Sequence, residues 1–311
     1  MKNKKTIIVT GGSSQIGKSL QDIMFGPNIF YLSSKDFDLT NQFSVKTMYD
    51  KLKPDFVCHL SAVVSGIENN IKFPYNHYTE NTLMNTMVLD EAYKRNISGF
   101  ITTLSTCAYP DVLPDEYYPL KEENLCIGQP TTTNFGYGIS KRNLAIQLDA
   151  GNRQFNKKYS YVIPCNIYGH YDKFDEKRSH YVAALLMKIK HAVDNKLSSI
   201  TLMGTGTPLR QFVYSLDAAN LLKLCIENNI TESFNIATDE VYSINEIAEI
   251  ALRACNATHL TIEYDNSKPD GQYKKTCSNE KLKNIFPDFK FTSLEDGIRQ
   301  TYKRVIELKK I

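Results

Sequence analysis

The sequence predicts an α/β protein: a parallel sheet with helices on both faces, followed by a smaller C-terminal α/β lobe. Three observations lead there. Short apolar runs alternate with longer stretches of helical spacing through the first half of the chain. The first run ends directly in a glycine-rich turn, Thr10-Gly11-Gly12-Ser13-Ser14-Gln15-Ile16-Gly17. The second half breaks into helices separated by long loops rich in polar and aromatic residues.

Taken in order, strands are expected at 6–10, 29–32, 56–60, 99–104 and 160–164, and helices at 16–24, 44–52, 82–95 and 137–155. The strands are nearly continuous in apolar residues, as strands buried on both faces must be. Ligands of such sheets sit beyond the carboxyl ends of the strands. Further on, loops at 170–179, 204–210 and 266–275 separate helices at 180–190, 216–227, 244–255 and 294–308. The expected division is 1–165 for the sheet domain and 166–311 for a discontinuous substrate lobe, with part of 205–240 returning to the sheet. The sequence holds no internal repeat, low-complexity tract or obvious linker.

Composition bounds the function. With 311 residues, 42% hydrophobic and 23% charged, the chain reads as an ordinary globular protein with room for a well-buried core. A formal charge of +3 gives no case for nucleic-acid binding, though a local basic pocket for an anionic ligand stays open. The basic start Met1-Lys2-Asn3-Lys4-Lys5 leads into an apolar run too short for a signal-peptide core. No stretch approaches the ~18 apolar residues of a membrane span. Seven scattered cysteines without CxxC spacing fit a reducing cytoplasm better than a disulfide framework or a zinc site; no metal is expected.

The turn after the first strand is a Rossmann-type fingerprint. Its glycines (Gly11, Gly12, Gly17) permit a tight bend, and the amides from Ser14 through Gln15 and Ile16 face an anion, here a pyrophosphate. Ser14 stands where a middle glycine is common; an ordinary strand–helix turn is the bland alternative. An acidic residue closing the second strand would favour NAD, whereas this chain has Ser33-Ser34-Lys35. Hydroxyls and a cation suit a 2′-phosphate, so Ser34 and Lys35 point to NADP(H), with Asp36 near enough to compete. Asp38 and Leu39 are placed to line an adenine pocket.

Ser105-Thr106-Cys107 follows the fourth strand, and Tyr137-Gly138-Ile139-Ser140-Lys141 opens a helix. Tyr137 and Lys141, at i and i+4, share a helical face, so the ammonium is expected to lower the phenol pKa. Tyr137 then protonates a carbonyl oxygen as hydride arrives, while Ser105 hydrogen-bonds the same oxygen. Among nineteen tyrosines a YxxxK spacing alone means little. Its position behind a strand-terminal serine and a dinucleotide fingerprint gives it weight.

The order of TGGxxxxG, Asp38-Leu39, Ser105-Thr106-Cys107, YxxxK and Pro164-Cys165-Asn166-Ile167-Tyr168-Gly169 resembles the extended short-chain dehydrogenase/reductases. Ser33-Ser34-Lys35-Asp36, Asn134-Phe135-Gly136-Tyr137, Arg210-Gln211-Phe212 and Asp270-Gly271-Gln272-Tyr273-Lys274-Lys275 look like the GDP-L-fucose synthase family, and the resemblance runs to about Phe286-Pro287-Asp288-Phe289. It implies an NADPH-dependent epimerase/reductase that inverts C3 and C5 of GDP-4-keto-6-deoxy-mannose and reduces its C4 ketone. On the same resemblance Cys107 matches the family's base and His180 its acid; read alone, each would be a structural residue. Cys126, Cys165, Cys255 and Cys277 gain no such support and keep the structural reading. Arg210 matches a diphosphate-contacting arginine, and Lys274 or Lys275 a nucleotide-contacting cation. Lys188 is a further cation beyond His180. Asn166 and Asn81 are candidates for contacts near the sugar and the active-site backbone. Relatives commonly form homodimers through a four-helix bundle, here 82–95 with 137–155.

Two departures bear on the sugar. The loop His170-Tyr171-Asp172-Lys173-Phe174 lacks a proline expected after Gly169, and Ala183 replaces another after His180. A related GDP-4-keto-6-deoxy-heptose is therefore an alternative substrate. The same residues also allow a 4-ketoreductase without epimerase activity and, from a different class, a non-catalytic NADP-binding sensor or scaffold. An NAD-dependent 4-epimerase or 4,6-dehydratase is disfavoured: no acidic residue closes the second strand, and Thr106 stands where a dehydratase would want an acid.

Overall fold

The computed structural model describes residues 5–175, 179–268, 270 and 272–311. The basic run 1–4, residues 176–178 of the first long loop, and Pro269 and Gly271 of the last lie outside the described residues. The chain begins β1 (Ile7–Thr10), α1 (Gln15–Ile23), β2 (Ile29–Leu32), α2 (Gln42–Leu52), β3 (Phe56–His59), α3 (Ile67–Lys72), α4 (Pro74–Lys94), β4 (Gly99–Thr103), α5 (Phe135–Phe155) and β5 (Ser160–Pro164). It continues β6 (Asn166–Tyr168), α6 (Tyr181–Asp194), β7 (Ser199–Met203), β8 (Leu209–Arg210), β9 (Phe212–Tyr214), α7 (Ser215–Asn228), β10 (Phe234–Ile236), β11 (Tyr242–Ser243), α8 (Ile244–Ala254), β12 (Thr261–Asp265), β13 (Lys274–Lys275), α9 (Glu280–Ile285) and α10 (Leu294–Glu307).

Six strands form one parallel sheet in the order β10-β5-β4-β3-β1-β2. Every residue of β3, β4 and β5 is buried, although successive side chains point to opposite faces. Both faces are therefore covered: α1 packs with α7, and α4 packs with α2 and α5. The chain leaves β1 for β2 on one side and returns to β3 on the other, which opens a crevice at the carboxyl ends of β1 and β3. Local chemistry sets the helix ends. Ser14 caps α1 by accepting from the Gly17 amide, and Asn41 caps α2 through Ser44. Ser243 and Glu246 close a capping box on α8. Asn156 and Asn229 end α5 and α7 in the left-handed conformation that asparagine tolerates.

A second hydrophobic core lies among α6, α8 and α10, around Leu186, Ile189, Ile247, Ala251 and Ile298. Small sheets flank it: β7 with β12, β6 with β9, and β11-β8-β13. The sheet domain takes its last strand, β10, from this later part of the chain.

Some elements differ from expectation. The helix expected at 82–95 begins at Pro74, two turns earlier. Its first residues, Pro74-Tyr75-Asn76-His77-Tyr78-Thr79, carry no apolar period, but proline at the first position suits a helix start. His180 precedes α6 as its cap. The ends of the 204–210 and 266–275 loops are strands, since Leu209–Arg210 and Lys274–Lys275 pair in parallel. Of the cysteines read as structural, Cys165, Cys255 and Cys277 are buried, whereas Cys126 is exposed on a 3₁₀ turn and fills no core.

Candidate active site

The glycine-rich turn sits where the sheet opens. Gly11 has φ +71, and a Cβ there would lie 2.7 Å from the Leu60 carbonyl carbon; at Gly17 it would collide with the Gly11 carbonyl oxygen. The Gly12 amide donates to Leu32 O at 2.8 Å and the Ser14 amide to Gly11 O at 2.9 Å, folding the turn against β2. Ile16 packs on the core of the sheet domain. The Gln15 side-chain nitrogen is buried without a hydrogen-bond partner, beside Gly169. A cradle without side chains and an orphaned donor fit a phosphate-bearing dinucleotide.

After β2, Asp36 turns back on its own loop. Its Oδ2 accepts from the Ser33 amide (2.7 Å) and hydroxyl (2.8 Å), and these bonds hold its carboxyl below the usual range. Ser34 and Lys35 are left exposed. The acid that could have competed for a ribose hydroxyl is committed elsewhere, while the hydroxyl and ammonium that suit a 2′-phosphate make no side-chain hydrogen bond among the described residues. Asp38 accepts from the Thr40 amide and hydroxyl, and Leu39 packs on the core.

Beyond β4, Ser105 accepts from the Cys107 amide at 3.2 Å and opens the 3₁₀ turn Thr106–Ala108. α5 lies directly on this turn, because a Cβ at Gly138 would collide with the Cys107 carbonyl oxygen. Arg142 clamps the two together: its Nε and Nη2 donate to Ala108 O at 3.0 and 2.7 Å, and its Nη1 to Gly128 O at 2.6 Å. Tyr137 is thereby brought to a hydrogen bond with Ser105 and within electrostatic reach of Cys107. Lys141, one turn on, is 1% exposed, donates to Thr103 O at 2.8 Å, and lies 5.9 Å from the Tyr137 ring centroid.

The electrostatics differ from the sequence expectation. Burial pushes the Tyr137 phenol up, Cys107 adds to this, and the Ser105 hydrogen bond only partly offsets it. Burial also pushes Lys141 down to about 8. The ammonium is engaged by a backbone carbonyl, and desolvation rather than the lysine charge governs the phenol. His59, at the end of β3, lies 2.7 Å from Thr10 Oγ1 and 3.0 Å from Asn85 Oδ1; burial first, then Lys141, holds its pKa at about 3, so it is neutral.

The second lobe brings cations to the same place. β8 and β13 pair with Arg210 opposite Lys275. Lys275 Nζ is 3.6 Å from Cys107 Sγ, whereas Lys274 Nζ turns to Asp115 (3.7 Å) and the Tyr118 ring (4.9 Å). Sequence could not separate the two lysines; side-chain alternation on a short strand does. Arg210 donates to Leu209 O (2.8 Å) and Tyr273 O (3.4 Å) and pairs with no carboxylate among the described residues. Burial disfavours its charge, which suits a site awaiting an anion.

His180 Nδ1 lies 2.8 Å from Oδ1 of the buried Asp172, which raises its pKa against burial and Lys173. Asn81 is fully buried and fixes the loop after β3 through both the amide and the carbonyl of Val63. Asn166 donates to Gln211 O at 2.8 Å. Lys188 donates to Thr201 O at 2.6 Å, on β7. Sequence reasoning missed Arg142 and Asp172. The first follows the YxxxK pair immediately, but its acceptors are carbonyls that no motif records. Ala183, read as a change beside the sugar, is 2% exposed within α6 and absorbed by packing.

The profile of the NAD dependent epimerase/dehydratase family matches residues 7–237. A probable GDP-L-fucose synthase of Drosophila melanogaster is 34% identical over 317 residues, covering 97% of this chain and 98% of that protein. A GDP-L-fucose synthase of Dictyostelium discoideum is 34% identical over 313 residues, covering 98% and 96%. The crystal structure of a GDP-L-fucose synthetase from Naegleria fowleri bound to NADP matches with a TM-score of 0.85 at 31% identity, covering 99% of this chain and 96% of that one. The glycine cradle and the tyrosine–lysine helix both fall inside the matched span, and on these findings the chain belongs to the NAD dependent epimerase/dehydratase family.

Proposed function

We propose that this chain is an NADPH-dependent 3,5-epimerase/4-reductase that converts GDP-4-keto-6-deoxy-mannose to GDP-L-fucose. One observation carries the reading: Ser105 caps the turn that carries Cys107, and the helix that bears Tyr137 packs directly on that turn. A ketone hydrogen-bonded by Tyr137 and Ser105 presents its two neighbouring carbons, made acidic by that carbonyl, to the Cys107 sulfur.

Cys107 takes a proton from the carbon, and the enolate charge that develops on O4 is held by Ser105 and Tyr137. His180 returns a proton from the opposite face, which inverts the centre. Once Cys107 has passed its proton to solvent and His180 has regained one, the same two proton transfers occur at the second carbon. NADPH, when bound, would supply the hydride for C4, and Tyr137 would give its proton to the oxygen. Gly11, Gly12, Ser14, Gln15, Ile16, Gly17, Asp38 and Leu39 would hold the dinucleotide, with Ser34 and Lys35 serving its 2′-phosphate and Lys141 its nicotinamide ribose. Arg210, with Lys275 across the strand pair, meets the GDP diphosphate, and Asn166 and Asn81 keep the surrounding backbone in place.

The test separates the two reactions. Solvent deuterium should enter C3 and C5 without NADPH, and NADPH should be oxidised when present. Tyr137→Phe should lose reduction while exchange, weakened by the lost hydrogen bond to O4, stays measurable because Ser105 and Cys107 remain; Cys107→Ser should lose exchange. Wild-type behaviour in both variants would overturn the site, and reduction without any exchange would leave a 4-ketoreductase. The enzyme is proposed to work in the cytoplasm, which its odd, unpaired cysteines suit; no described helix is long and apolar enough to cross a membrane. A homodimer through α4 and α5 would cover Tyr75, Leu83, Phe135 and Ile146, all exposed on the single chain.

A further inference from the structure

Within the epimerase reading, on which this inference rests, we propose that Asp172 is the positioning residue of His180. It fixes the tautomer with hydrogen on Nδ1 and leaves Nε2 as the nitrogen that delivers a proton to the sugar.

The geometry is that of a buried acceptor and an exposed donor. The Asp172 side chain is 3% exposed and that of His180 55%. Asp172 Oδ1 accepts from the Lys173 amide at 2.7 Å and lies 2.8 Å from His180 Nδ1, while Oδ2 is buried without a partner. An ionised carboxylate can only accept, so Nδ1 must carry hydrogen and Nε2 faces away from the pair. A buried carboxylate with an unmet oxygen is costly unless a cation lies against it. Lys173 donates only its amide, and the Lys310 ammonium, which senses Asp172, donates to His170 O at 2.5 Å. Among the described residues, His180 is the side chain that hydrogen-bonds the carboxylate.

Position makes the pair necessary. His180 caps the N-terminus of α6, where the helix dipole disfavours an imidazolium. Burial and Lys173 oppose the charge too, and the bond to Asp172 outweighs them. A raised pKa keeps the ring protonated as pH climbs through the range in which free imidazole loses its proton. Tyr181, the next residue, sends its hydroxyl to Ile244 O and adds no charge at the ring. Asp172 also anchors its own turn, since its amide donates to Gly169 O at 3.0 Å. A purely structural role is therefore the competing account.

Two measurements on the full chain decide between them. Nitrogen-resolved NMR of the histidine rings, with His180→Gln for assignment, should show Nδ1 protonated throughout and Nε2 titrating above the ordinary value near 6.5. In Asp172→Asn the His180 titration should fall to that value or lower. Deuterium exchange at the sugar should lose ~10²-fold in kcat with KM little changed, its alkaline limb moving to lower pH. An unshifted titration, or exchange with the wild-type rate and pH profile, would overturn the proposal. If Asp172→Asn does not fold, the wild-type tautomer and titration still decide: hydrogen on Nε2 in the neutral ring refutes it. Absence of exchange in the wild type sinks the epimerase reading instead, and the NMR result then stands on the pair alone.

Discussion

Replacing Lys141 should make the protein more stable while abolishing reduction. The ammonium is 1% exposed, and burial brings its pKa from 10.5 to about 8. A shift of that size corresponds to about 3 kcal/mol of destabilisation carried by the charged form at neutral pH. Lys141→Met removes this cost and fills the same space with an unbranched apolar chain. It also leaves Thr103 O without its 2.8 Å donor, a loss of roughly 1 kcal/mol. The net expectation at pH 7 is a gain of about 2 kcal/mol, read as a rise of several degrees in the melting midpoint without cofactor. The pH dependence follows from the direction of the shift. Below pH 8 the lysine is charged in both folded and unfolded chains, so the folded chain bears the full cost. Between about 8 and 10.5 the folded chain releases its proton while the unfolded chain keeps it, and wild-type stability rises relative to the variant. The gap in melting midpoint should therefore close as pH rises from 8 to 10. A variant that melts below the wild type at pH 7, or a gap independent of pH, would refute the reasoning.

Lys275→Met should lower deuterium exchange about tenfold through loss of the contact with the Cys107 sulfur, whereas Lys274→Met, whose ammonium serves Asp115 and Tyr118, should leave exchange unchanged; equal losses would show that both act on the nucleotide. Lys35→Ala should raise the KM for NADPH about tenfold, as expected for one charged hydrogen bond, and leave that for NADH unaltered in steady-state assays. Ser105→Ala should depress exchange and reduction together, each by roughly 10²-fold, because one hydroxyl serves the same oxygen in both steps; loss of only one activity would place the ketone elsewhere. Gly138→Ala should cost 1–3 kcal/mol in urea unfolding, on the order expected for overpacking, since the added methyl meets the Cys107 carbonyl.

The parallel sheet is legible because its strands are buried on both faces and so are written as nearly continuous apolar runs, Phe56–His59 and Gly99–Thr103 among them, each turning polar only at its carboxyl end. The first turns of α4 are not, because their polar residues carry no period and only the proline at Pro74 marks the start. Strands of two or three residues, such as Leu209–Arg210, are too short for any alternation to register. At the site, residues tied to a fixed spacing along one element, such as Tyr137 with Lys141, can be read in advance. Asp172 acts on a histidine eight residues away across a loop, and Arg142 acts through carbonyl acceptors; neither relation has a spacing rule. The direction of the Tyr137 shift was also illegible, because the sequence displays the lysine charge but not the burial that outweighs it.

The arrangement explains why two reactions can share one mount. Ser105 caps the 3₁₀ turn that carries Cys107, and Arg142, one residue after Lys141, ties that turn to α5 with two hydrogen bonds to Ala108 O and reaches Gly128 O with a third. The serine and cysteine therefore cannot shift independently of the tyrosine and lysine, and the absence of a side chain at Gly138 sets how closely the two groups approach. A carbonyl seated on Ser105 and Tyr137 is the electron sink for proton removal at either neighbouring carbon, and the same seat holds it for reduction. What must change between steps is which carbon faces Cys107, and that is governed by the sugar's attachment to the second lobe. Arg210 and Lys275 lie opposite each other on β8 and β13, so the strand pair proposed to meet the diphosphate also carries the ammonium that touches the thiol. Motion of that strand pair would then move the substrate's anchor and the thiol's partner together, coupling the choice of carbon to the placement of the base.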